Sequence, residues 1–367
     1  GVDEVLDGGL TAGRLSMVRG GSGTGKTIFA LEFLYRGALE GEPGNLKATL
    51  QTAPRYVNDY CTACGKCAEV CPETRPDSFN AYMGTTPAIY MPHSLAFPQQ
   101  YDLDMNYCRG EECARCVEAC AYEAIHLNAT PETREVEVAS VIAASGWEPY
   151  DAALIEGLSY TESPDIVTNL EMERLLAPGG PGAGTLKRPS DKKPPRHVVF
   201  VQCAGSRDEN HQPWCSAVCC SASLKHALNI HALLPECRVT ICYIDLRVSG
   251  RNEDFLEKVK AVDAITLLKG KVGKVTPCHE DGKLEVVAED ISGGRKAHLE
   301  ADLVVLATGI APQLPLDSVA VNEAGFVKAR KENPELVPVA CCKHPMDVSA
   351  SVKDAIAAAL KAMQTIK

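Results

Sequence analysis

From residue 197 onward the chain alternates short apolar runs with longer stretches in which apolar residues recur every three or four positions. The runs HVVFVQC, RVTICYID and DLVVLATG are short and rich in β-branched residues, and they predict buried strands. SLKHALNIHALL and NEDFLEKVKAV predict helices, whereas ITLLKGKVGKV and KLEVVAED predict strands joined by turns. This alternation favours an α/β fold with a parallel sheet that carries helices on its faces. A last helix is predicted from about Ser349, with one apolar face formed by Val352, Ile356, Leu360 and Met363.

Composition divides the rest of the chain. A glycine-rich segment comes first, then a segment with eight cysteines, and then an apolar run followed by a loop rich in Pro and Gly. We therefore expect five parts, which cover residues 1–44, 55–130, 131–196, 197–300 and 301–367.

Charge and length exclude several classes of protein. The chain has 367 residues and a net charge of −11, which does not suit nucleic-acid binding. No apolar stretch approaches the roughly 18 residues that a membrane span needs, and no secretory leader follows Gly1, so a cytoplasmic location is expected. Seventeen cysteines in such a chain indicate metal binding or redox chemistry rather than a disulfide framework.

Eight cysteines form two groups with ferredoxin spacing. The first cysteine group consists of Cys61, Cys64, Cys67 and Cys71, and with Pro72 it gives C-x2-C-x2-C-x3-C-P, the spacing of a bacterial [4Fe–4S] site. The second cysteine group has a longer first gap and consists of Cys108, Cys113, Cys116 and Cys120. In two-cluster ferredoxins the fourth cysteine of each group binds the other cluster, which assigns Cys120 to the first cluster and Cys71 to the second. Zinc is the alternative, because C-x2-C pairs also bind zinc.

A third cysteine group lies in VQCAGSRDENHQPWCSAVCC and consists of Cys203, Cys215, Cys219 and Cys220. Cys203 ends a predicted strand, and the adjacent pair opens a predicted helix. In a dinucleotide-binding fold this turn would hold glycines and a pyrophosphate. Four thiolates at the carboxyl edge of a sheet predict a third iron–sulfur cluster, and buried core cysteines are the alternative.

Several longer motifs resemble one family. From about residue 55 to the end, PRYVNDYCTACGKCAEVCP, AIYMP, VTNLEMERLLAP, RPSD and VQCAGSRDEN resemble the A subunit of heterodisulfide reductase. The ending VACCKHPMDVSASVKDAIAAALKAM looks closest to the A subunit of the quinone-interacting membrane-bound oxidoreductase. The resemblance implies a two-dinucleotide flavoprotein architecture with an inserted ferredoxin-like module that holds two [4Fe–4S] clusters. It also implies FAD, and it supports the third cysteine group as a cluster site.

The same resemblance implies a role in electron transfer within a multi-subunit redox complex. The implied partners are other subunits of that complex, adenylylsulfate reductase and a membrane quinone-reactive subunit. A peripheral position on the cytoplasmic face of the membrane follows from these partners.

The flavin site is incomplete by the family's pattern. Small-residue turns at Gly146 and at Thr308-Gly309 end apolar runs, where a backbone can approach a flat cofactor closely. Asp347, Val348 and Ser349 lie just before the last predicted helix, whose free N–H groups suit a flavin or its phosphates. A simple helix cap at Asp347 is the alternative. The first βαβ unit with its G-x-G-x-x-G turn is missing, so the binding of FAD to this chain stays open.

The missing unit is replaced by a P-loop. GGSGTGKT fits G-x4-G-K-[ST] and supplies four candidate phosphate and Mg²⁺ contacts, Gly20, Gly25, Lys26 and Thr27. Residues 1–44 resemble the start of KaiC-type RecA-like ATPases, but the remainder of an ATPase core is not found, so ATP hydrolysis is not expected. A gene fusion, a truncated protein and a substitute for the lost flavin-binding unit are the three interpretations.

No catalytic residue is predicted. Six histidines show no metal spacing with one another, and most of them are expected at the surface or in caps: His211, His226, His231, His279, His298 and His344. Three alternatives to a role in electron transfer remain: a P-loop nucleotide-binding protein with an appended iron–sulfur module, a zinc-binding structural subunit, and a non-functional fusion fragment.

Overall fold

The computed structural model describes residues 46–248, 250–278, 282–314, 319–328 and 336–364. Its helices are α1 (Lys66–Glu69), α2 (Arg115–Ala119), α3 (Asn169–Leu176), α4 (Cys219–Leu233), α5 (Glu253–Lys260) and α6 (Val348–Met363). The first strands are β1 (Leu46–Thr52), β2 (Thr74–Pro76), β3 (Thr85–Pro87), β4 (Ile89–Tyr90), β5 (Asp102–Leu103), β6 (Glu132–Val138), β7 (Val141–Ala143), β8 (Trp147–Pro149) and β9 (Ile166–Thr168). The remaining strands are β10 (His197–Val201), β11 (Arg238–Tyr243), β12 (Ile265–Lys269), β13 (Val272–Cys278), β14 (Lys283–Asp290), β15 (Arg295–Ala301), β16 (Leu303–Leu306), β17 (Ile310–Pro312) and β18 (Leu336–Pro338).

The chain divides into two units. The cysteine-rich unit comprises Gly1–Arg75, Thr86–Trp147 and Pro312–Lys367, of which only the described residues are discussed. The sheet unit comprises Pro76–Thr85 and Glu148–Ala311. Each unit is described by itself.

A five-stranded parallel sheet forms the centre of the sheet unit. Its strand order is β12-β11-β10-β16-β9, and every neighbouring pair is parallel. The α/β fold with a parallel sheet that the apolar runs predict is therefore confirmed. All five carboxyl ends lie at one edge of the sheet, which is the edge where ligands bind in α/β folds.

The two faces of this sheet are covered differently. The helices α3, α4 and α5 pack on one face, where Phe200 and Leu224 are fully buried. The antiparallel sheet β13-β14-β15 packs on the other face through residues such as Val275 and Val286. The strand predicted over KLEVVAED belongs to this second layer, where β14 alternates buried and exposed side chains and pairs antiparallel with both neighbours.

The cysteine-rich unit holds smaller sheets. β1 pairs antiparallel with β6, β4 pairs antiparallel with β5, and β7 pairs parallel with β18. The helices α1 and α2 surround a small core that includes Val57, Ile89 and Ile125. Cys67 and Cys116 are part of this core.

The last helix begins close to its predicted start, at Val348 rather than at about Ser349. Asp347 precedes α6, and its carboxylate accepts a hydrogen bond from the N–H of Ala350 at 2.7 Å. The buried positions of α6 are Ala358 and Ala362, whereas Ile356 and Leu360 are 44% and 55% exposed. The apolar face expected from the sequence therefore points to solvent, and the small residues of the helix pack inward.

A buried carboxylate anchors the loop between α3 and β10. Asp165 is buried, and it accepts hydrogen bonds from Arg188 Nη2 at 2.6 Å and Nε at 3.1 Å. The N–H and hydroxyl of Ser190 donate to the same carboxylate at 3.0 Å and 2.6 Å. Four donors compensate its charge, and they attach the loop to the start of β9.

The substitution Asp165→Asn is expected to destabilise the chain by about 3–5 kcal/mol, because it leaves the buried Arg188 charge without its carboxylate. Urea unfolding followed by circular dichroism measures this loss. Asp191 is the matched control, since it pairs with the same guanidinium at 3.6 Å from a more exposed position. An equal loss of stability in Asp191→Asn and Asp165→Asn would contradict the assignment of the anchor.

Candidate functional site

The first two cysteine groups lie on short loops that reverse direction sharply. Ala63 and Gly65 take positive φ angles of 57° and 86° just before α1, which carries Cys67. Ala114, with a φ of 45°, has the same position before α2, which carries Cys116. These left-handed residues wrap the chain so that successive thiols face inward.

The structure brings cysteines of the first group close to cysteines of the second group. A small cavity is lined by Cys61, Cys64 and Cys67 of the first group together with Cys120 of the second. The thiol of Cys116 in turn lies within electrostatic range of Cys108 and of Cys71 from the first group. Each fourth cysteine is thus brought to the other group's loop, and Cys113 lies directly after a turn at Gly110–Glu112.

The surroundings of these thiols suit metal-bound sulfur. Backbone N–H groups point at two of them, from Gly110 to Cys108 Sγ at 3.3 Å and from Ala124 to Cys120 Sγ at 3.4 Å. Burial raises the pKa of Cys67 to about 12, so the free thiol is neutral and a bound metal must displace its proton.

Among the described residues, no three His, Cys, Asp or Glu side chains converge closely enough to hold a single metal ion. A cubane distributes its four thiolates over four iron atoms, and they stand farther apart than the ligands of one ion.

The third cysteine group lies at the carboxyl edge of the parallel sheet. Cys203 follows β10 in a left-handed conformation with a φ of 57°, and Cys219 and Cys220 begin α4. Burial raises the pKa of Cys219 to about 12, and the nearby thiols of Cys220, Cys203 and Cys215 add to this shift. The thiol of Cys219 is therefore within electrostatic range of the other three thiols of the group.

Basic and amide groups surround the third cysteine group. Burial raises the pKa of the Cys203 thiol, and the nearby Arg207 guanidinium, whose Nη2 pairs with Asp245 at 2.9 Å, partly offsets that rise. The backbone N–H of Arg247 donates to Cys220 Sγ at 3.4 Å. Positive charge and N–H donors next to sulfur favour the thiolate form.

The loop between Cys203 and Cys215 is held against the turn after β16. Ser216 Oγ accepts from the N–H of Ile310 at 2.9 Å, and Gln212 Nε2 donates to the carbonyl of Ile310 at 3.1 Å. A Cβ on Gly309 would lie 2.3 Å from Ser206 Oγ and 2.4 Å from Ser216 Oγ. Gly309 is therefore required for the packing of this loop.

The residues predicted for FAD fall in both units. Thr308 and Gly309 belong to the sheet unit, and Thr308 Oγ1 is buried without a hydrogen-bond partner among the described residues. Gly146 follows β7 in the cysteine-rich unit with a φ of 82° and open space where a Cβ would stand. Near the start of α6, Val348 and Ser349 are exposed. In the sheet unit, the Thr308 hydroxyl can donate to a bound group. In the cysteine-rich unit, Asp347 acts as the helix cap that the alternative predicts.

Two other sets of predicted residues have different outcomes. The P-loop residues Gly20, Gly25, Lys26 and Thr27 lie outside the described residues.

His226 is 1% exposed, so the expectation of a surface position is wrong for this histidine. The sequence signal for its burial is its place on the buried face of α4, three residues after Ser223. The sequence pattern also does not mark Arg207, although it lies within the SRD motif beside the cysteines.

The fold and its cysteines define an α/β protein in which sulfur-rich loops occupy positions that dinucleotide-binding proteins give to glycines. The chain is 37% identical over 310 residues to the iron-sulfur A subunit of "CoB--CoM heterodisulfide reductase" from Methanocaldococcus jannaschii, covering 82% of this chain and 47% of the relative. It is 33% identical over 372 residues to the A subunit of "Ferredoxin:CoB-CoM heterodisulfide reductase" from Methanosarcina acetivorans, covering 89% and 46%. The resemblance to the A subunit of heterodisulfide reductase is therefore confirmed, and the chain spans about half the length of the curated relatives it matches.

Other comparisons cover parts of the chain. The family model "ATPase: KaiC" matches residues 1–66, which extends past residue 44 and includes Cys61 and Cys64. Among solved structures, thioredoxin reductase of Lactococcus lactis has a TM-score of 0.42 and 16% identity, covering 65% of this chain and 69% of that chain. Thioredoxin reductase of T. acidophilum has a TM-score of 0.39 and 14% identity, covering 64% and 68%. In the part of the chain that the structure describes, no helix has the length and apolarity to cross a membrane.

The substitution Gly309→Ala is expected to destabilise the chain by about 2 kcal/mol more than Gly294→Ala. Both glycines have positive φ angles, but a Cβ on Gly294 meets open space whereas one on Gly309 meets two serine hydroxyls. Thermal unfolding of both variants measures the difference. Equal melting temperatures would show that the loop of the third cysteine group does not depend on this packing.

Proposed function

We propose that the chain is an iron–sulfur subunit of an electron-transfer complex of the heterodisulfide reductase type. The observation that carries the proposal is the exchange of fourth cysteines between two loops, which brings Cys120 to the cavity of Cys61, Cys64 and Cys67. This exchange suits two [4Fe–4S] clusters held side by side. The names of the relatives, which include an "iron-sulfur" component and a "ferredoxin" reductase component, support the same function.

The chain's own residues bind the clusters and keep water away from them. The eight thiols of the first and second cysteine groups hold the clusters, and the N–H donors from Gly110 and Ala124 stabilise charge on sulfur. The core residues Val57 and Ile125 exclude water from the first cavity. When bound, the clusters supply one-electron transfer.

The third cysteine group is proposed to hold a third cluster. It lies at the turn between β10 and α4, where a nucleotide-binding unit would need glycines to accept a pyrophosphate. We therefore infer that the sheet unit uses this edge for sulfur and does not bind a pyridine nucleotide there. The Arg207 guanidinium balances negative charge at the site.

FAD is proposed as a further cofactor. In the sheet unit, taken by itself, its candidate contacts are Thr308 and Gly309, and in the cysteine-rich unit, taken by itself, they are Gly146, Val348 and Ser349. The unpartnered hydroxyl of Thr308 and the open space at Gly146 support it. A flavin converts electron pairs into single electrons.

The partners are proposed to be other subunits of a redox complex. The ending of the chain favours adenylylsulfate reductase and a membrane quinone-reactive subunit among them. A peripheral position on the cytoplasmic face of the membrane accords with these partners.

Anaerobic purification should yield about twelve iron atoms per chain, because three cubane sites of four iron atoms are proposed. Cys120→Ala should remove about four of them together with one electron paramagnetic resonance signal. Cys237→Ala is the matched control, since Cys237 is a buried thiol of the core formed by the sheet and its helices. Stoichiometric zinc without iron or sulfide in the parent protein would contradict the proposal and favour the structural zinc alternative.

A separate and smaller proposal concerns the P-loop. The KaiC family match supports phosphate binding by Gly20, Gly25, Lys26 and Thr27. We propose that this binding takes place without turnover. Lys26→Ala should weaken the binding of a fluorescent ADP analogue by at least about tenfold, because it removes the charge on the β-phosphate. Lys47→Ala, at an exposed position of β1, is the control. Steady ATP hydrolysis that Lys26→Ala abolishes would instead favour an ATPase.

A further inference from the structure

A cavity of about 440 Å³ lies beside the outer strand of the parallel sheet. Ile166 and Val167 of β9, the outer strand, line it together with Leu175 of α3. All its lining residues belong to the sheet unit, and none of the four cysteines of the third group is among them. Pockets that bind small molecules in proteins typically have volumes of about 300–1,000 Å³. The cavity is therefore large enough for a small organic molecule, at a place that the proposed redox sites do not use.

The inner wall of the cavity is apolar. Ile166, Val167 and Leu175 are buried, and they belong to the cores on the two faces of the sheet. Met83 packs against one of these cores and adds a thioether side chain, which adapts easily to a ligand. The rest of the apolar wall consists of rings, from Tyr160, Pro164, Pro181 and Pro189. Rings present flat apolar surfaces, so this wall suits the flat apolar part of a ligand.

The open side of the cavity carries positive charge. Lys187 and Lys192 line the cavity and are exposed to solvent. Within the described part of the chain, neither lysine forms an ion pair, and Lys192 Nζ donates a hydrogen bond to the carbonyl of Pro189 at 2.9 Å. Both ammonium groups are therefore available to an anionic group that enters the cavity.

The carboxylate in the lining is already occupied by hydrogen bonds. Glu171 Oε2 accepts from the N–H of Thr168 at 2.6 Å, and Glu171 Oε1 accepts from the Tyr160 hydroxyl at 2.9 Å. Burial and the adjacent carboxylate raise the pKa of Tyr160, so its hydroxyl keeps its proton and continues to donate. The Glu171 carboxylate thus stays directed at the start of α3 as part of its capping box.

The remaining charges leave the cavity with an excess of one positive charge. Arg188 also lines the cavity, but its guanidinium is paired with the buried Asp165 at 2.6 Å. Asp191 lies outside the lining, where Lys193 pairs with it at 3.8 Å. With these two pairs balanced, the two lysines of the open side exceed the single negative charge of Glu171 by one. A monoanion complements this balance.

Left-handed backbone conformations are concentrated around the cavity. Twelve non-glycine residues in the described part of the chain have a positive φ angle. Five of the twelve line the cavity or lie within two positions of a lining residue: Ala81, Tyr82, Ser159, Ala183 and Lys192. Such costly conformations cluster at binding sites, as they also do at the cysteine groups. The backbone around the cavity therefore supports a binding role.

We propose that this cavity binds a small organic carboxylate with a flat apolar ring. The ring lies against the wall formed by β9, α3 and Met83, and the carboxylate meets Lys187 and Lys192 at the open side. Burial of the ring provides most of the affinity, because apolar surface leaves water. The two lysines select for a negative charge on the ligand. The inference goes beyond the proposed function and needs no redox centre.

The test is isothermal titration calorimetry of the full chain with naphthoate as the probe. The parent should bind naphthoate with a Kd below about 1 mM. The affinity should fall as salt is added, because salt screens the lysine charges. Naphthol has the same rings without a charge at neutral pH, and acetate has the charge without rings. Each of them should bind at least about tenfold more weakly than naphthoate, since each makes only one of the two contacts.

Two kinds of variant locate the site. Lys187→Gln combined with Lys192→Gln should weaken naphthoate binding by about tenfold and leave naphthol binding unchanged. Lys193→Gln is the matched control, because Lys193 adjoins Lys192 in sequence but pairs with Asp191 outside the lining. Met83→Trp fills the cavity and should abolish binding of naphthoate, with circular dichroism to show that this variant folds.

The outcomes separate this inference from the proposed function. Equal affinity for naphthoate and naphthol, or equal affinity of the parent and the double lysine variant for naphthoate, would overturn the choice of an anionic ligand. Full naphthoate binding by Met83→Trp, or no binding by the parent, would overturn the cavity as a ligand site. Iron content should be the same in the parent and in every variant, so each of these failures leaves the proposed iron–sulfur function intact.

Discussion

Buried sulfur is the constraint on which the rest of the structure depends. A thiol held away from water has a high pKa and stays neutral, as the shifts at Cys67 and Cys219 indicate. Thiols from separate loops act as metal ligands only when the metal replaces their protons. Nearby N–H groups and arginines then balance the resulting charge. Bringing the thiols together requires a left-handed backbone at Ala63, Ala114 and Cys203, which costs conformational energy. The surrounding cores hold these residues in that conformation.

The parallel sheet explains the location of the third cysteine group. Because β10 and β16 are parallel neighbours, the turns after both strands meet at the carboxyl edge. The loop after β10 carries Cys203, and the turn after β16 carries Gly309, against which that loop packs. Cys203 after β10 and the cysteines at the start of α4 thereby lie at the same edge of the sheet. A change at the β16 turn is therefore expected to reach the sulfur site through packing rather than through charge.

Local sequence patterns predicted the helices and strands well, but they predicted less well which elements pack on each face of the sheet. The strands and helices after residue 197 follow from apolar runs and helical periodicity, and the last helix starts beside its capping aspartate. That β13, β14 and β15 cover the second face of the sheet was not predicted, because a strand pattern does not show which layer the strand packs against. Burial of His226 was also missed, since a histidine on a helix shows its partner Glu173 only after α3 packs against α4. The exposed face of α6 was missed for a related reason: small alanines pack more closely than the larger residues opposite them.

The Thr308-Gly309 turn shows how one motif can satisfy two structural demands. Its glycine is required by Ser206 and Ser216 whether or not a flavin is present, because a Cβ would overlap both hydroxyls. The glycine alone is therefore no argument for a cofactor. The neighbouring threonine is a stronger one, since Thr308 Oγ1 is buried and has no partner in the described part of the chain. A hydroxyl in that position costs stability unless a bound group or water accepts its hydrogen bond, so the case for a flavin at this turn depends on Thr308.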